Sequence, residues 1–239
     1  MQNLPDFLKR GVEQIIDSDH FITKLNSGKK LRIKWGIDPT SPYLHLGHMA
    51  VLKKLADFQL MGHQAVLIIG DFTAMIGDPT DRVGARQPLT KEQVGENMKS
   101  YLKQAGKIIN LSQTEVHHNS EWFAKFSFYD VLKLMGQFTV QQLTEREDIK
   151  KRIIEGKPVG YHEPLYASMQ AYDSVVLEAD LELGATDQLL NMLAGKDLMH
   201  KMGQEPQDIL TIPLILGTDG VYKMSKSKGN VIDPMILTE

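Results

Sequence analysis

Residues 31–70 read LRIKWGIDPTSPYLHLGHMAVLKKLADFQLMGHQAVLIIG, and this stretch decides the fold. Residues 31–37 have the pattern of a strand, and the apolar, β-branched run at 65–70 is typical of a buried parallel strand. Between them, a turn through 38–42 precedes a helix from about 46 to 61, which Gly62 stops. Two strands joined by a helix make a βαβ unit. We therefore predict an α/β fold with a Rossmann-like, doubly wound parallel sheet.

The flanking sequence extends this alternation in both directions. Apolar residues at helical spacing predict an amphipathic helix in an N-terminal segment of residues 1–30, namely Leu4, Phe7, Leu8, Val12, Ile15 and Ile16. Further helices and strands are predicted at 93–105, 115–118, 181–183, about 186–202 and 209–216. Residues 121–178 are mostly helical in pattern and interrupt the alternation. We expect a main domain at 31–217 with a helical insertion at about 121–165.

The composition excludes several classes of protein. The 239 residues are 42% hydrophobic and 24% charged, which is typical of a globular domain. With 27 basic and 30 acidic residues the net charge is −3, which excludes a histone-like protein. The absence of cysteine excludes disulfides and cysteine-bound metals. No secretory signal or bilayer-length apolar run is present, so we expect a cytoplasmic protein with no membrane partner.

The turn and helix start at 38–48 carry the first group of candidate ligand-binding residues. A helix that begins after a strand offers free N–H groups and partial positive charge to a phosphate. His45 and His48 are one turn apart, Thr40 adds a hydroxyl, and Gly47 leaves room for a flat ring. Histidines so spaced are also common as surface residues or metal ligands. Neither a third ligand nor a Glu beside the first His is evident, so we predict no metal site.

Near the end of the chain, Lys223-Met224-Ser225-Lys226-Ser227-Lys228-Gly229 places three lysines beside a glycine turn. A mobile cationic loop can close over a polyphosphate and neutralise charge that develops in a transition state. Taken alone, a lysine cluster of this kind is more often a solvated basic loop. Because the phosphate-binding helix start and the lysine loop lie at opposite ends of one nucleotide fold, they can hold one nucleotide between them.

Both motifs carry a resemblance to a known family. His45-Leu46-Gly47-His48 resembles the HIGH signature of class I aminoacyl-tRNA synthetases, and residues 223–227 read KMSKS, the second signature of that class. The similarity extends over residues 31–233. It implies that residues 218–239 are the KMSKS loop and the start of a further C-terminal region.

Four stretches resemble the tyrosyl branch of this class, at residues 36–40 (GIDPT), 73–79 (TAMIGDP), 166–173 (YASMQAYD) and 184–188 (GATDQ). On a helix, Tyr166, Gln170 and Asp173 fall at i, i+4 and i+7 and share one polar face. The resemblance implies that Asp173 accepts the phenol hydroxyl of a tyrosine substrate. It also implies a tyrosine-binding set of Asp78, Asn119, Tyr166, Gln170, Asp173 and Gln188, with Trp122 at the pocket wall.

The same resemblance implies roles around ATP, which enters as a substrate together with Mg²⁺. The implied catalytic residues, which contact the nucleotide or the departing pyrophosphate, are Thr40, His45, His48, Lys223 and Lys226. The implied ATP-binding residues are Asp38, Gly47, Asp187 and Lys226. Catalysis would then consist of positioning and charge stabilisation at phosphorus, because the substrate carboxylate is already a nucleophile.

The expected function is that of a tyrosine–tRNA ligase, which forms tyrosyl-adenylate and transfers the tyrosyl group to tRNA(Tyr) in translation. The apolar stretch at 123–140 is expected to form a homodimer interface. Lys34 stands where many family members have a tyrosine that contacts the substrate hydroxyl, and full members continue into an anticodon-binding domain. The alternatives are a tryptophanyl or other class I synthetase, a nucleotidyltransferase of the same superfamily, and a non-catalytic binding protein derived from a synthetase.

Overall fold

The computed structural model describes residues 5–76 and 89–233. The strands in these ranges are β1 Gln14–Ile16, β2 Arg32–Ile37, β3 Gln64–Ile69, β4 Thr114–His118, β5 Leu181–Ala185 and β6 Asp208–Ile212. The α-helices are α1 Asp6–Lys9, α2 Ser18–Leu25, α3 Leu46–Leu60, α4 Thr73–Ile76, α5 Lys91–Ala105, α6 Ser120–Phe123, α7 Phe128–Met135, α8 Val140–Thr144, α9 Glu147–Ile154, α10 Leu165–Leu177 and α11 Leu189–Lys201.

The six strands form one sheet in the order β1-β6-β5-β2-β3-β4. All neighbours run parallel except β1, which pairs antiparallel with β6 at the sheet edge. The predicted Rossmann-like α/β fold is confirmed, but the sheet is mixed and not wholly parallel. The chain fills one half of the sheet from β2 and the other half from β5. The strand order therefore reverses between β2 and β5, and ligands of such sheets bind beyond the carboxyl ends of the strands at this switch point.

The predicted strand–helix–strand unit is confirmed closely. Every residue of β3 except Gln64 is buried, as expected for a central parallel strand that is covered on both faces. The helix α3 ends at Leu60, and Gly62 adopts a φ of 89°, which a residue with a side chain rarely adopts. One side of α3 packs into the main hydrophobic core through Val51, Leu52, Leu55 and Phe58.

The prediction of one long N-terminal helix is wrong. The helix α1 covers only Asp6–Lys9, and Gly11 then turns the chain with a φ of 64°. The next segment forms β1, in which Ile15 and Ile16 pair with Leu210 and Ile209 of β6. Apolar residues four apart fit a helix, but the free edge of β6 offers backbone partners, and β-branched residues fit a strand.

Two later predictions need smaller corrections. The last strand was expected to reach residue 216, but β6 stops at Ile212 because Pro213 has no N–H to donate to a neighbouring strand. The helix expected over 186–202 begins as a 3₁₀ turn at Thr186–Gln188 before α11. Residues 121–178 are mostly helical as predicted, and they form α6 to α10. Within the described residues, no helix combines the length and apolar character needed to cross a bilayer.

Candidate active site

The start of α3 lies at the carboxyl end of β2 and is organised by its two histidines. His45 Nδ1 accepts a hydrogen bond from Gly47 N at 3.1 Å, and His48 Nδ1 accepts one from His45 N at 3.2 Å. The two rings stack with their centroids 3.8 Å apart. Because each Nδ1 is an acceptor, each neutral imidazole carries its proton on Nε2. The Nδ1 atoms of the pair therefore organise the start of the helix.

His48 is held in the neutral form. Burial lowers its pKa well below the ordinary 6.5, and the neighbouring His45 and Lys226 lower this pKa further. A neutral imidazole at this place donates one hydrogen bond without adding charge to the site.

This pKa shift gives a prediction about pH. Between the lowered folded-state pKa of His48 and its unfolded value near 6.5, the unfolded chain binds more protons than the folded protein. We expect the His48 contribution to stability to be lost as the pH falls below 6.5. The His48 ring resonances should not titrate between about pH 6 and pH 8 in NMR spectra, with His48→Gln used for assignment. A midpoint inside that range would contradict the neutral assignment.

The role that the structure shows for Gly47 is to leave space for the ring of His45. A Cβ atom at Gly47 would lie 3.0 Å from two ring atoms of His45, so glycine makes room for the histidine stack. The approach of a nucleotide ring to this point stays a prediction.

Asp173 lies on α10 and is 4% exposed. Its Oδ1 accepts a hydrogen bond from Trp122 Nε1 at 2.9 Å, and its Oδ2 accepts one from Asn119 Nδ2 at 3.4 Å. Burial raises the pKa of Asp173 to about 7, although the charge of Lys34 and these two hydrogen bonds act in the opposite direction. A carboxyl group whose pKa is raised this far is typical of functional sites.

The same hydrogen-bonded chain continues to the turn after β2. Asn119 Nδ2 also donates to Thr73 Oγ1 at 3.0 Å, and Thr73 Oγ1 donates to Asp38 Oδ1 at 2.7 Å. Tyr166 OH donates to Asp38 Oδ2 at 3.0 Å. Gly70 permits this arrangement, because a Cβ there would lie 1.9 Å from Asp38 Oδ1 and 2.3 Å from Thr73 Oγ1. One continuous network thus joins the ends of β2 and β4 to α10.

A second polar cluster lies within the fold beneath α10. Lys34 of β2 and Glu182 of β5 form an ion pair at 2.9 Å, and they are 1% and 2% exposed. Lys34 Nζ also donates to Ser174 Oγ at 2.7 Å. Glu182 accepts further hydrogen bonds from Gln170 Nε2 at 3.1 Å and from the side chains of Ser174 and Gln207. Gln170 is therefore oriented by a buried ion pair rather than by the Asp173 network.

The KMSKS loop, residues 223–229, rests on two anchors. Lys223 Nζ lies 2.8 Å from Asp187 Oδ2, and both side chains are partly exposed. Lys226 Nζ donates to Tyr101 OH at 2.8 Å. The loop therefore lies at the switch point, with Lys223 on a residue expected to bind ATP.

Gln188 belongs to a chain of contacts beside Tyr166. Asn191 Nδ2 donates to Gln188 Oε1 at 2.9 Å, and Arg146 donates to Asn191 Oδ1 at 3.0 Å. The Arg146 guanidinium lies 6.0 Å from the centre of the Tyr166 ring. Gln188 is thus connected through Asn191 and Arg146 to Tyr166, whose hydroxyl donates to Asp38.

The structure gathers most of the predicted site residues at one edge of the sheet. The Asp173–Asp38 network contains Asp38, Asn119, Tyr166 and Asp173, and the helix start and loop contribute His45, Gly47, His48, Lys223 and Lys226. Asp78 lies outside the described residues. Among the described residues, no group of three or more histidine, aspartate or glutamate side chains is placed to hold a metal ion.

Thr73, Glu182 and Tyr101 are among the residues of these networks that had no predicted role. Thr73 lies in a stretch singled out for its resemblance, but no spacing indicates that it links Asp38 to Asn119. Glu182 is in an apolar strand, so only the paired charge of Lys34 hints at it. Tyr101 has the sequence pattern of an ordinary core residue on an amphipathic helix.

An α/β sheet in which a helix start and a basic loop meet at the switch point defines the class of Rossmann-like domains that handle nucleotides. The chain belongs to the family described as tRNA synthetases class I (W and Y), whose model matches residues 26–235.

Individual relatives agree with this family. The tyrosine–tRNA ligase of Carboxydothermus hydrogenoformans is 51% identical over 231 residues, which cover 95% of this chain and 56% of the relative. That of Thermotoga maritima is 50% identical over 225 residues, covering 94% of this chain and 56% of the relative. The chain thus spans somewhat more than half the length of the curated relatives it matches.

Solved structures support the fold. The tyrosyl-tRNA synthetase of Archaeoglobus fulgidus, solved with L-tyrosine, matches with a TM-score of 0.77 at 24% identity, over 95% of this chain and 68% of that one. A C-terminally truncated mitochondrial tyrosyl-tRNA synthetase of Aspergillus nidulans matches with a TM-score of 0.77 at 22% identity, over 92% of this chain and 71% of that one.

Proposed function

We propose that this chain activates tyrosine with ATP, forming tyrosyl-adenylate and pyrophosphate, and serves a protein that transfers the tyrosyl group to tRNA(Tyr). The observation that carries the proposal is the continuous network from Trp122 and Asp173 through Asn119 and Thr73 to Asp38, beside the helix start and the lysine loop. Relatives about half identical in sequence bear the same activity in their names. A cytoplasmic location is part of this proposal.

The amino-acid side of the site is assigned to the Asp173 network. The Asp173 carboxyl group accepts the phenol hydroxyl of the substrate, an interaction that phenylalanine lacks. A buried acceptor that loses its partner costs about 1–3 kcal/mol, which favours tyrosine over phenylalanine. Tyr166 and Gln170, together with Asp78, hold the substrate ammonium group. Asn119, Trp122 and Gln188 complete the pocket.

The nucleotide side of the site is assigned to α3 and the KMSKS loop. A carboxylate oxygen of tyrosine attacks the α-phosphorus of Mg²⁺–ATP, and the bond from this phosphorus to the oxygen bridging to the β-phosphate breaks. Negative charge moves onto the pyrophosphate, where Thr40, His45, Lys223 and Lys226 donate hydrogen bonds. His48 and Gly47 hold the nucleotide, and Asp38 and Asp187 orient the ammonium group and the ribose hydroxyls. No general base is required.

The Lys223–Asp187 contact must open during this reaction. In the structure the lysine covers the carboxylate that is assigned to the ribose. The pair is partly exposed, so its net strength is small and the phosphates of ATP can attract the lysine away. ATP binding and loop rearrangement are therefore coupled.

We propose a homodimer with the helical insertion at its interface. The insertion separates into two faces, because Phe123 and Leu134 are buried in the core while Phe128 and Val140 are 77% and 73% exposed. Tyr129 and Leu132 are exposed as well. An apolar surface of this kind fits an isologous contact with a second copy.

ATP–pyrophosphate exchange on the 239-residue chain tests the proposed activity. Exchange should require tyrosine, and tryptophan or phenylalanine should support little of it. Exchange with tryptophan alone would instead assign the other substrate named by the family. No exchange with any amino acid, from protein shown to be folded, would favour a non-catalytic binding protein.

A further inference from the structure

Tyr101 connects the two halves of the site, although nothing in its sequence context marks it. It lies on α5 with only 2% exposure, and its ring packs in the main hydrophobic core. Its hydroxyl receives the hydrogen bond from Lys226 Nζ at 2.8 Å. The helix α5 also packs against the turn that leads to α3, because Asn97 Nδ2 and Gln104 Nε2 donate to Pro39 O and Pro42 O at 2.9 Å.

The direction of the hydrogen bond between Lys226 and Tyr101 follows from the groups involved. An ammonium group can only donate, so the Tyr101 oxygen accepts from Lys226. Burial raises the pKa of Tyr101 to about 12, so the hydroxyl stays neutral throughout the physiological range. The Tyr101 oxygen therefore offers Lys226 a neutral acceptor, whereas Lys223 contacts a carboxylate, that of Asp187.

We propose that Tyr101 is a positioning residue that holds Lys226 above the Thr40 turn until ATP binds. This inference rests on the proposed function, because it assigns Lys226 to the phosphates. A neutral acceptor suits the task, since a phosphate oxygen carries charge and outcompetes a phenol for the ammonium group. The rigid core position of the ring gives the lysine a defined starting point, which lowers the cost of ordering a long side chain in the transition state.

Tyr101→Phe tests the inference, because it keeps the ring and removes the acceptor. We expect the kcat of tyrosine-dependent exchange to fall about tenfold, the size expected from the side-chain entropy that an unanchored lysine must lose when it closes on the phosphates. The KM for tyrosine should not change. Tyr222→Phe is the matched control, since Tyr222 is an exposed tyrosine that precedes the loop and has no assigned contact with substrate. This control should exchange at the wild-type rate.

A double-mutant cycle separates positioning from a general structural role. In a Lys226→Ala background, Tyr101→Phe should have no further effect on kcat, because the lysine it positions is gone. An equal loss in both backgrounds, or no loss in the wild-type background, would overturn the inference.

Hydrogen–deuterium exchange of the ligand-free protein tests the contact without using activity. Amides of residues 223–229 should exchange faster in Tyr101→Phe than in the wild type and in Tyr222→Phe. Unchanged protection would overturn the inference. If the wild type shows no tyrosine-dependent activity while the amide rates rise as expected, the proposed function fails and the Tyr101 anchor stands.

Discussion

Asp173→Asn is expected to lower tyrosine-dependent ATP–pyrophosphate exchange about 100-fold while making the ligand-free protein more stable at pH 8. The loss of activity follows because the carboxyl group is the assigned acceptor for the substrate hydroxyl. An amide at this position offers one acceptor oxygen, which Trp122 Nε1 already engages. The KM for tyrosine should rise, and the KM for ATP should change little.

The gain in stability follows from the raised pKa of Asp173. Between the ordinary value of 3.8 and the folded-state value of about 7, the folded protein binds more protons than the unfolded chain. Stability therefore falls as the pH rises through this window. Asparagine removes a cost that is fully present above pH 7, so the gain at pH 8 is on the order of a few kcal/mol and disappears below about pH 4.

Urea denaturation at several pH values measures this effect. Asp197→Asn provides a matched control, because Asp197 is exposed on α11 and should show neither change. A variant of Asp173 that is less stable than the wild type at pH 8, or one that keeps full exchange activity, would contradict the assigned role. Lower activity together with higher stability in Asp173→Asn would identify a residue that lowers stability and is required for function.

Lys34→Met is expected to lower the free energy of unfolding by roughly 3–5 kcal/mol. Removing the lysine leaves the Glu182 carboxylate buried without an opposite charge. The hydrogen bonds from Gln170, Ser174 and Gln207 remain, but they do not neutralise it. Because Glu182 also orients Gln170, the KM for tyrosine should rise in parallel.

A second substitution identifies the cause of that loss. Lys34→Met combined with Glu182→Gln removes the uncompensated charge and keeps the hydrogen-bonding shape, so it should recover much of the stability. Lys53→Met is the control, because Lys53 is an exposed lysine of α3 whose ion pair contributes little. A single Lys34 variant as stable as the wild type, or a double variant that is worse than the single one, would contradict this account.

The sequence predicts the part of the fold that depends on local pattern. The strand–helix–strand unit at 31–70 follows from hydrophobic periodicity and from Gly62. Because ligands of such sheets bind beyond the carboxyl ends of the strands, Asp38 and the start of α3 are then expected to lie at the site. The prediction of an N-terminal helix was wrong because the spacing of these apolar residues fits the period of a helix as well as that of a strand. The pairing partner of Ile15 and Ile16 lies about two hundred residues away, at Leu210 and Ile209.

The site could be predicted only as far as motifs mark it. The signatures predict roles for residues such as His45 and Lys226, but they do not indicate which side chains contact these residues. Lys34 and Glu182 are distant in sequence and lie in strands whose pattern is apolar, so no local signal indicates that they pair. Tyr101 has the spacing of a core residue, and only the folded structure shows that its hydroxyl contacts Lys226.

Trapping the reaction intermediate tests the central claim most directly. The chain is incubated with radiolabelled tyrosine, Mg²⁺–ATP and pyrophosphatase, and bound label is then separated from free tyrosine by gel filtration. We expect close to stoichiometric protein-bound tyrosyl-adenylate that depends on ATP and forms far more slowly in Lys226→Ala. Folded protein that retains no ATP-dependent label would contradict the proposal that this site activates tyrosine.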